Sequence, residues 1–140
     1  MTKLGQTEKE LLKAATEASG KAHVLWGFRV GAAVLAEDGR TYEGCNIESW
    51  ISGLGICAER NAINHAALHG NRQIKEVAIT MDADSHNEPR PCGACLQYIC
   101  DFAESPKVKV VMAKVKNGRI LSDTVLVKTL EELLPFPYRK

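Results

Sequence analysis

Apolar residues recur along the chain with two different periods, and the alternation between them divides it into elements. Leu11, Leu12, Ala15, Ala18 and Ala22 fall on one helical face, with Lys9, Lys13 and Glu17 outside, so residues 7 to about 19 are expected to be helical. Thr7 with Glu10 fits a capping box and Gly20 a stop. Residues 29–36 and 41–45 are β-rich runs, and the intervening Glu37-Asp38-Gly39-Arg40 contains the Asp-Gly pair of a tight hairpin. Residues 46–56 are loop-like. Helical spacing returns at 57–69 through Ala58, Ala62, Ile63, Ala66 and Ala67, and Gly70 ends it. A buried-strand pattern follows at 76–81, then a polar, proline-bearing loop at 82–91 and a helix at 92–102. The chain closes with a strand at 108–115, an Asn117-Gly118 turn, a weaker strand at 120–127 and a short helix at 129–134.

The order α, β-hairpin, α, β, α, β, β, α is satisfied most economically by an α/β fold, a mixed central sheet with helices on its faces. Cys57 and Cys92 each stand where a loop enters a helix. Both helix starts should lie at one end of the sheet, where functional sites of such folds collect.

Composition narrows the class. A chain of 140 residues, 45% hydrophobic and 25% charged, is sized for one domain, 1–140, and is not a disordered polymer. Its 18 basic and 17 acidic residues leave a net charge of +1, too little field to hold nucleic acid by default. No stretch is long and apolar enough for a membrane span, and the first residues lack the apolar run of a secretory leader. Five cysteines, an odd number, argue against a disulfide framework and for a reduced, cytoplasmic setting, where cysteine pairs are metal ligands or catalytic groups.

Pro91-Cys92-Gly93-Ala94-Cys95 places two thiols one helical turn apart. Alone it is compatible with a redox pair, half a structural zinc site or two buried cysteines. Cys57-Ala58-Glu59-Arg60 adds a third thiol at a helix start, with a carboxylate two residues on. Three thiolates without a fourth protein ligand describe a zinc site that keeps one position for water, the mark of a catalytic centre. Glu59 suits a proton carrier beside that water. The pattern Cys57-x-Glu59…Pro91-Cys92-x-x-Cys95 matches the zinc deaminase signature with Cys in the His position. Three thiolates on Zn²⁺ leave a formal charge of −1. Arg60, three residues after Cys57, can donate to its sulfur, and two helix N-termini add positive potential.

Gly44-Cys45-Asn46-Ile47-Glu48, Gly53 through Arg60 and Pro91 through Gln97 together resemble the small homotetrameric cytidine deaminases, and the similarity runs from about Phe28 to Pro135. The resemblance implies a three-layer α/β/α cytidine deaminase-like fold around a mixed five-stranded sheet. It also implies one Zn²⁺ per chain on Cys57, Cys92 and Cys95, with Glu59 as catalytic acid and base. Phe28 is implied at the base edge, Asn46 and Glu48 at the ribose, and the Ala58 backbone at the base carbonyl. A C-terminal aromatic, Tyr138 or its rival Phe136, is implied to enter a neighbouring subunit's pocket. The substrate would be a free cytosine nucleoside, with no nucleic-acid or membrane partner.

Two stretches depart from the family pattern. Ala22 to Gly27 replaces a tyrosine-rich segment, and Ser49 to Ser52 replaces one that ends in tyrosine. They leave open a modified substrate, such as a blasticidin-type antibiotic or an N4-substituted cytidine. A non-catalytic structural zinc module is the alternative from another class. Cys45 and Cys100 are expected to be packing residues. Trp26 and Trp50 suit a core, an interface or a reshaped pocket wall. His65 and His69, four apart on one helix, have a spacing that can bind metal, but are expected at the surface or an interface.

Overall fold

The computed structural model describes residues 3–139; Met1, Thr2 and Lys140, at the ends of the expected 1–140 domain, lie outside the described residues. The elements run α1 (Gln6–Ser19), β1 (Val30–Ala36), β2 (Thr41–Cys45), α2 (Ala58–Leu68), β3 (Ile74–Asp82), α3 (Gly93–Phe102), β4 (Lys109–Lys116), β5 (Arg119–Ile120), β6 (Leu126–Thr129) and α4 (Leu130–Leu133). The sheet order is β2-β1-β3-β4, and β4 then pairs with both β5 and β6. Among the strands of the described residues, only β3 and β4 pair in parallel, joined through α3; the other strand pairs are antiparallel.

The mixed sheet matches expectation, with one difference at its edge. The single strand expected at 120–127 is broken in two, so the sheet has six strands rather than five. Ser122–Thr124 turns out of the ladder as a 3-10 segment, and Thr124 Oγ1 accepts the Lys114 N–H at 2.8 Å in place of a strand carbonyl. A run of three polar turn-formers outcompetes strand continuity there. The start of α1 also differs. The cap is Gly5, whose N–H donates to Glu8 Oε1 at 3.0 Å, rather than Thr7 with Glu10.

Strand alternation sends Ala33, Ala78, Val111 and Ala113 to one face, where they bury Leu11, Leu12 and Ala15 of α1. The opposite face, Ala32, Val34, Val77, Ile79, Val110 and Met112, packs on Ala58, Ala62, Ile63 and Ala66 of α2 and Ile99 of α3. Small residues let α2 lie close to β2. A Cβ on Gly44 would stand 2.7 Å from Ala58 O and 2.9 Å from Ala62 Cα, both backbone atoms that cannot yield cheaply. Gly44→Ala is therefore expected to cost about 2–3 kcal/mol in urea unfolding, because it pries α2 off the sheet.

Glu76 of β3 is buried, and its Oε2 has no hydrogen-bond partner among the described residues. Burial, then a hydrogen bond and repulsion from Glu8, push its carboxyl from the ordinary 4.5 up to about 8. Below the ordinary value both folded and unfolded chains hold the proton, so the group costs nothing. As pH rises towards about 8 only the unfolded chain ionises freely, and stability declines. Glu76→Gln is expected to flatten this slope. It should raise Tm at pH 8 by a few degrees, on the order of 3 °C per kcal/mol at this size, and leave Tm at pH 4 nearly unchanged.

Candidate active site and metal centre

The sequence folds so that two helices begin at one point. Cys57 and Cys92 are the extended residues immediately before α2 and α3, and neither thiol is spent capping its own helix. Cys95 follows on the first turn of α3 and is fully buried. The three Sγ atoms lie within 4.8 Å of one another, the one such cluster of three or more metal-ligand side chains among the described residues.

The sulfurs compete for protons. A hydrogen bond from Cys95, reinforced by Arg60, pulls the Cys57 thiol down to about 5 in spite of burial, while the same bond and burial push Cys95 upward. Thiols this close cannot all ionise unless a cation takes the protons' place, and the donor set suits tetrahedral Zn²⁺. Arg60 completes the balance. Its guanidinium donates to Cys57 Sγ at 3.4 Å, and this contact raises the affinity of Arg60 for its proton. Arg60 Nε is buried with no hydrogen-bond partner among the described residues.

Glu59 is 4% exposed, on the first turn of α2. Burial is the main reason its carboxyl is pushed up to about 7, with the charge of Cys57 adding to it. It opens on a cavity of about 300 Å³ lined also by Asn46, Cys57, Ala58 and Cys92, with Val30 and Met81 as an apolar wall. That is the lower end of small-molecule pocket sizes. Ala58 is the first residue of α2, where backbone amides have no acceptor within the helix.

The other expected residues are placed as follows. Asn46 reaches across to the start of β1: Val30 N–H donates to its Oδ1 at 2.9 Å, and its Nδ2 donates to Phe28 O at 2.8 Å. One lone pair and one N–H remain for a ligand. Glu48 Oε1 accepts from the Leu25, Trp26 and Gly27 amides at 2.6, 2.9 and 3.4 Å, and these bonds hold its carboxyl below the usual range. Phe28 is 39% exposed and is not part of the cavity wall within this chain. Tyr138 is 80% exposed and does not line its own chain's cavity.

Sequence reasoning missed two features. Gln97 clamps the tail: its Oε1 accepts from Tyr138 N–H at 3.1 Å and its Nε2 donates to Tyr138 O at 3.0 Å. Asn87, Glu88 and Arg90, from the polar loop after β3, form one rim of the cavity, where Arg90 pairs with Glu88. Neither contact has a signal in composition or period. Trp26 and Trp50 form an edge-to-face pair, ring centroids 5.0 Å apart, on the exposed surface beside Glu48. Cys100 packs against the core, as expected, and Cys45 is half-buried.

Residues 5–123 match the family described as the cytidine and deoxycytidylate deaminase zinc-binding region. The chain is 37% identical over 123 residues to a cytidine deaminase of Sporosarcina psychrophila, covering 87% of each protein. It is 28% identical to a blasticidin-S deaminase of Bacillus cereus, over 98% of this chain and 96% of that one. Among solved structures, a cytidine deaminase from Burkholderia pseudomallei superposes with a TM-score of 0.80 at 31% identity, over 96% of this chain and 100% of that one.

Proposed function

The chain belongs to the cytidine and deoxycytidylate deaminase zinc-binding family, and we propose that it hydrolyses the free nucleosides cytidine and deoxycytidine in a cytoplasmic homotetramer whose pockets are shared between subunits. It is a zinc-dependent hydrolase that removes the C4 amino group of cytosine nucleosides. The observation that carries the chemistry is the buried Glu59 carboxylate opening on the same cavity as Cys57 and Cys92. Zinc bound by Cys57, Cys92 and Cys95 supplies a Lewis acid that makes water a nucleophile at neutral pH.

In this reading Glu59 takes a proton from the attacking water and returns it to ring N3, then carries the second proton to the departing amine. The C4–O bond forms, the C4–N bond breaks, and ammonia leaves. Burial keeps the carboxylate out of bulk water, so its protons go to the substrate. Arg60 holds Cys57 ionised through the 3.4 Å contact. The Ala58 amide meets the base carbonyl, and Asn46 and the unengaged oxygen of Glu48 meet the ribose. Phe28 and Tyr138 lie outside their own chain's cavity wall, which supports contributions that need a neighbouring copy. The three thiols require a reducing compartment.

The similarity to a blasticidin-S deaminase over nearly the whole chain favours a second reading, a modified cytosine nucleoside as substrate. A panel of cytidine, deoxycytidine, N4-substituted cytidines and blasticidin S, followed by absorbance loss and ammonia release, separates the two. Cytidine or deoxycytidine is expected to have the highest kcat/KM. A preference of more than tenfold for blasticidin S would reverse the assignment. Sedimentation at assay concentration is expected to give a tetramer, and a fully active monomer would refute the shared pocket.

A further inference from the structure

Helix α2 carries a second pair of metal-ligand side chains, towards its opposite end from Glu59. His65 and His69 are four residues apart, so one helical turn brings them to one face. His65 Nδ1 lies 3.0 Å from Glu43 O, and His69 Nδ1 lies 3.0 Å from His65 O. A carbonyl oxygen only accepts, so each Nδ1 carries the hydrogen and donates. The lone pair of each neutral ring is then on Nε2. A backbone acceptor on the far nitrogen is how proteins orient histidines that bind metal.

The rings are also held by packing. Tyr42 lies 5.2 Å from both imidazoles, and its hydroxyl donates to Asp38 Oδ2 at 2.5 Å. Asn71 Nδ2 donates to the same Asp38 oxygen at 3.1 Å and to Ala66 O at 3.2 Å, tying this support to the helix. The two imidazole centroids are 5.1 Å apart. Two imidazoles bound to one cation at about 2.1 Å, near the tetrahedral angle, have centroids roughly 5 Å apart. The observed centroid spacing is compatible with both rings holding one cation.

We propose that His65 and His69 form a second metal site, binding one late first-row divalent cation such as Ni²⁺, Cu²⁺ or Zn²⁺ through their two Nε2 atoms, with water completing the shell. Imidazole-only donors suit these ions. The site is distinct from the thiolate centre in ligand type and in place along the helix. When filled, it cross-links the last turn of α2.

The test is a titration of zinc-loaded enzyme with Ni²⁺ alone, read by calorimetry, by metal analysis after gel filtration and by ¹H–¹⁵N correlations of the histidine rings. Wild type is expected to bind one Ni²⁺ per chain in addition to its zinc, with selective perturbation of the Nε2 resonances of His65 and His69. His65→Gln and His69→Gln should each weaken Ni²⁺ binding at least tenfold, while keeping zinc and deaminase turnover. Unchanged Ni²⁺ affinity in the double variant would overturn the proposal, as would Ni²⁺ uptake only by displacement of zinc. If the double variant does not fold, unperturbed Nε2 resonances in the wild type would be equally decisive against it.

Discussion

Glu59→Gln is expected to lower kcat for cytidine roughly a thousandfold while leaving zinc content unchanged. The amide keeps the volume and hydrogen-bonding outline of the carboxylate, but it cannot accept a proton and release it again, and positioned acid–base groups contribute about 10²–10⁴-fold to rate. The side chain is 4% exposed, so the wild-type carboxylate is held in a site that penalises its charge. Removing that charge should leave Tm unchanged or raise it slightly. Loss of turnover without loss of stability or metal therefore separates a chemical role from a structural one. Measurement needs steady-state absorbance assays, metal analysis and thermal unfolding on the same preparation. Turnover within tenfold of wild type would remove Glu59 from the mechanism.

Cys92→Ala is expected to abolish stable zinc binding and, with it, deaminase activity. Cys92 is the exposed member of the three and stands before α3 rather than inside it. The substitution therefore leaves little cavity and should preserve the secondary structure. Losing one of three thiolates removes a first ligand, which should weaken zinc by well over the roughly 10–100-fold seen when only an outer-shell partner is lost. Cys95→Ala removes the same ligand count but also empties a fully buried position, so its Tm should fall further than that of Cys92→Ala. A zinc content of one per chain in Cys92→Ala would show that the ligand set is wrong. Equal losses of Tm in the two variants would show that the burial difference does not matter.

Much of this site was legible in the chain because its chemistry is local. Cys92 and Cys95 are one turn apart, and Glu59 and Arg60 follow Cys57 on the same first helical turn. Short spacing on a helix converts directly into a shared direction. The edge strand was less legible. Residues 120–127 have strand-like composition, but the Ser122–Thr124 turn and the bond from Lys114 N–H to Thr124 Oγ1 interrupt the ladder there. The α1 cap differs from the sequence pattern for a related reason. Thr7 and Glu10 have the right identities, but Glu8 reaches the Gly5 amide and the helix starts earlier.

Contacts between distant segments had no signature at all. Gln97 meets Tyr138 across 41 residues, and Glu48 meets the Leu25–Gly27 amides across more than 20. Glu76 looks like an ordinary strand glutamate until Glu8 of α1 is brought against it. The histidine pair shows both sides. Its i,i+4 spacing was visible, while the carbonyl acceptors that orient both rings belong partly to another element.

The fold class, the three thiols, the carboxylate beside them and the counter-charge of Arg60 are readable in the chain, because periodicity and near-neighbour spacing are linear properties. Folding in three dimensions brings the three sulfurs within 4.8 Å of one another and opens Glu59 on a cavity with Cys57 and Cys92. Asn46 and Glu48 are partly engaged by backbone amides before any ligand arrives, again through contacts between distant segments. Those outcomes depend on how closely α2 and α3 seat on one end of the sheet. That distance is set by packing volumes such as the missing Cβ of Gly44, which no linear pattern encodes.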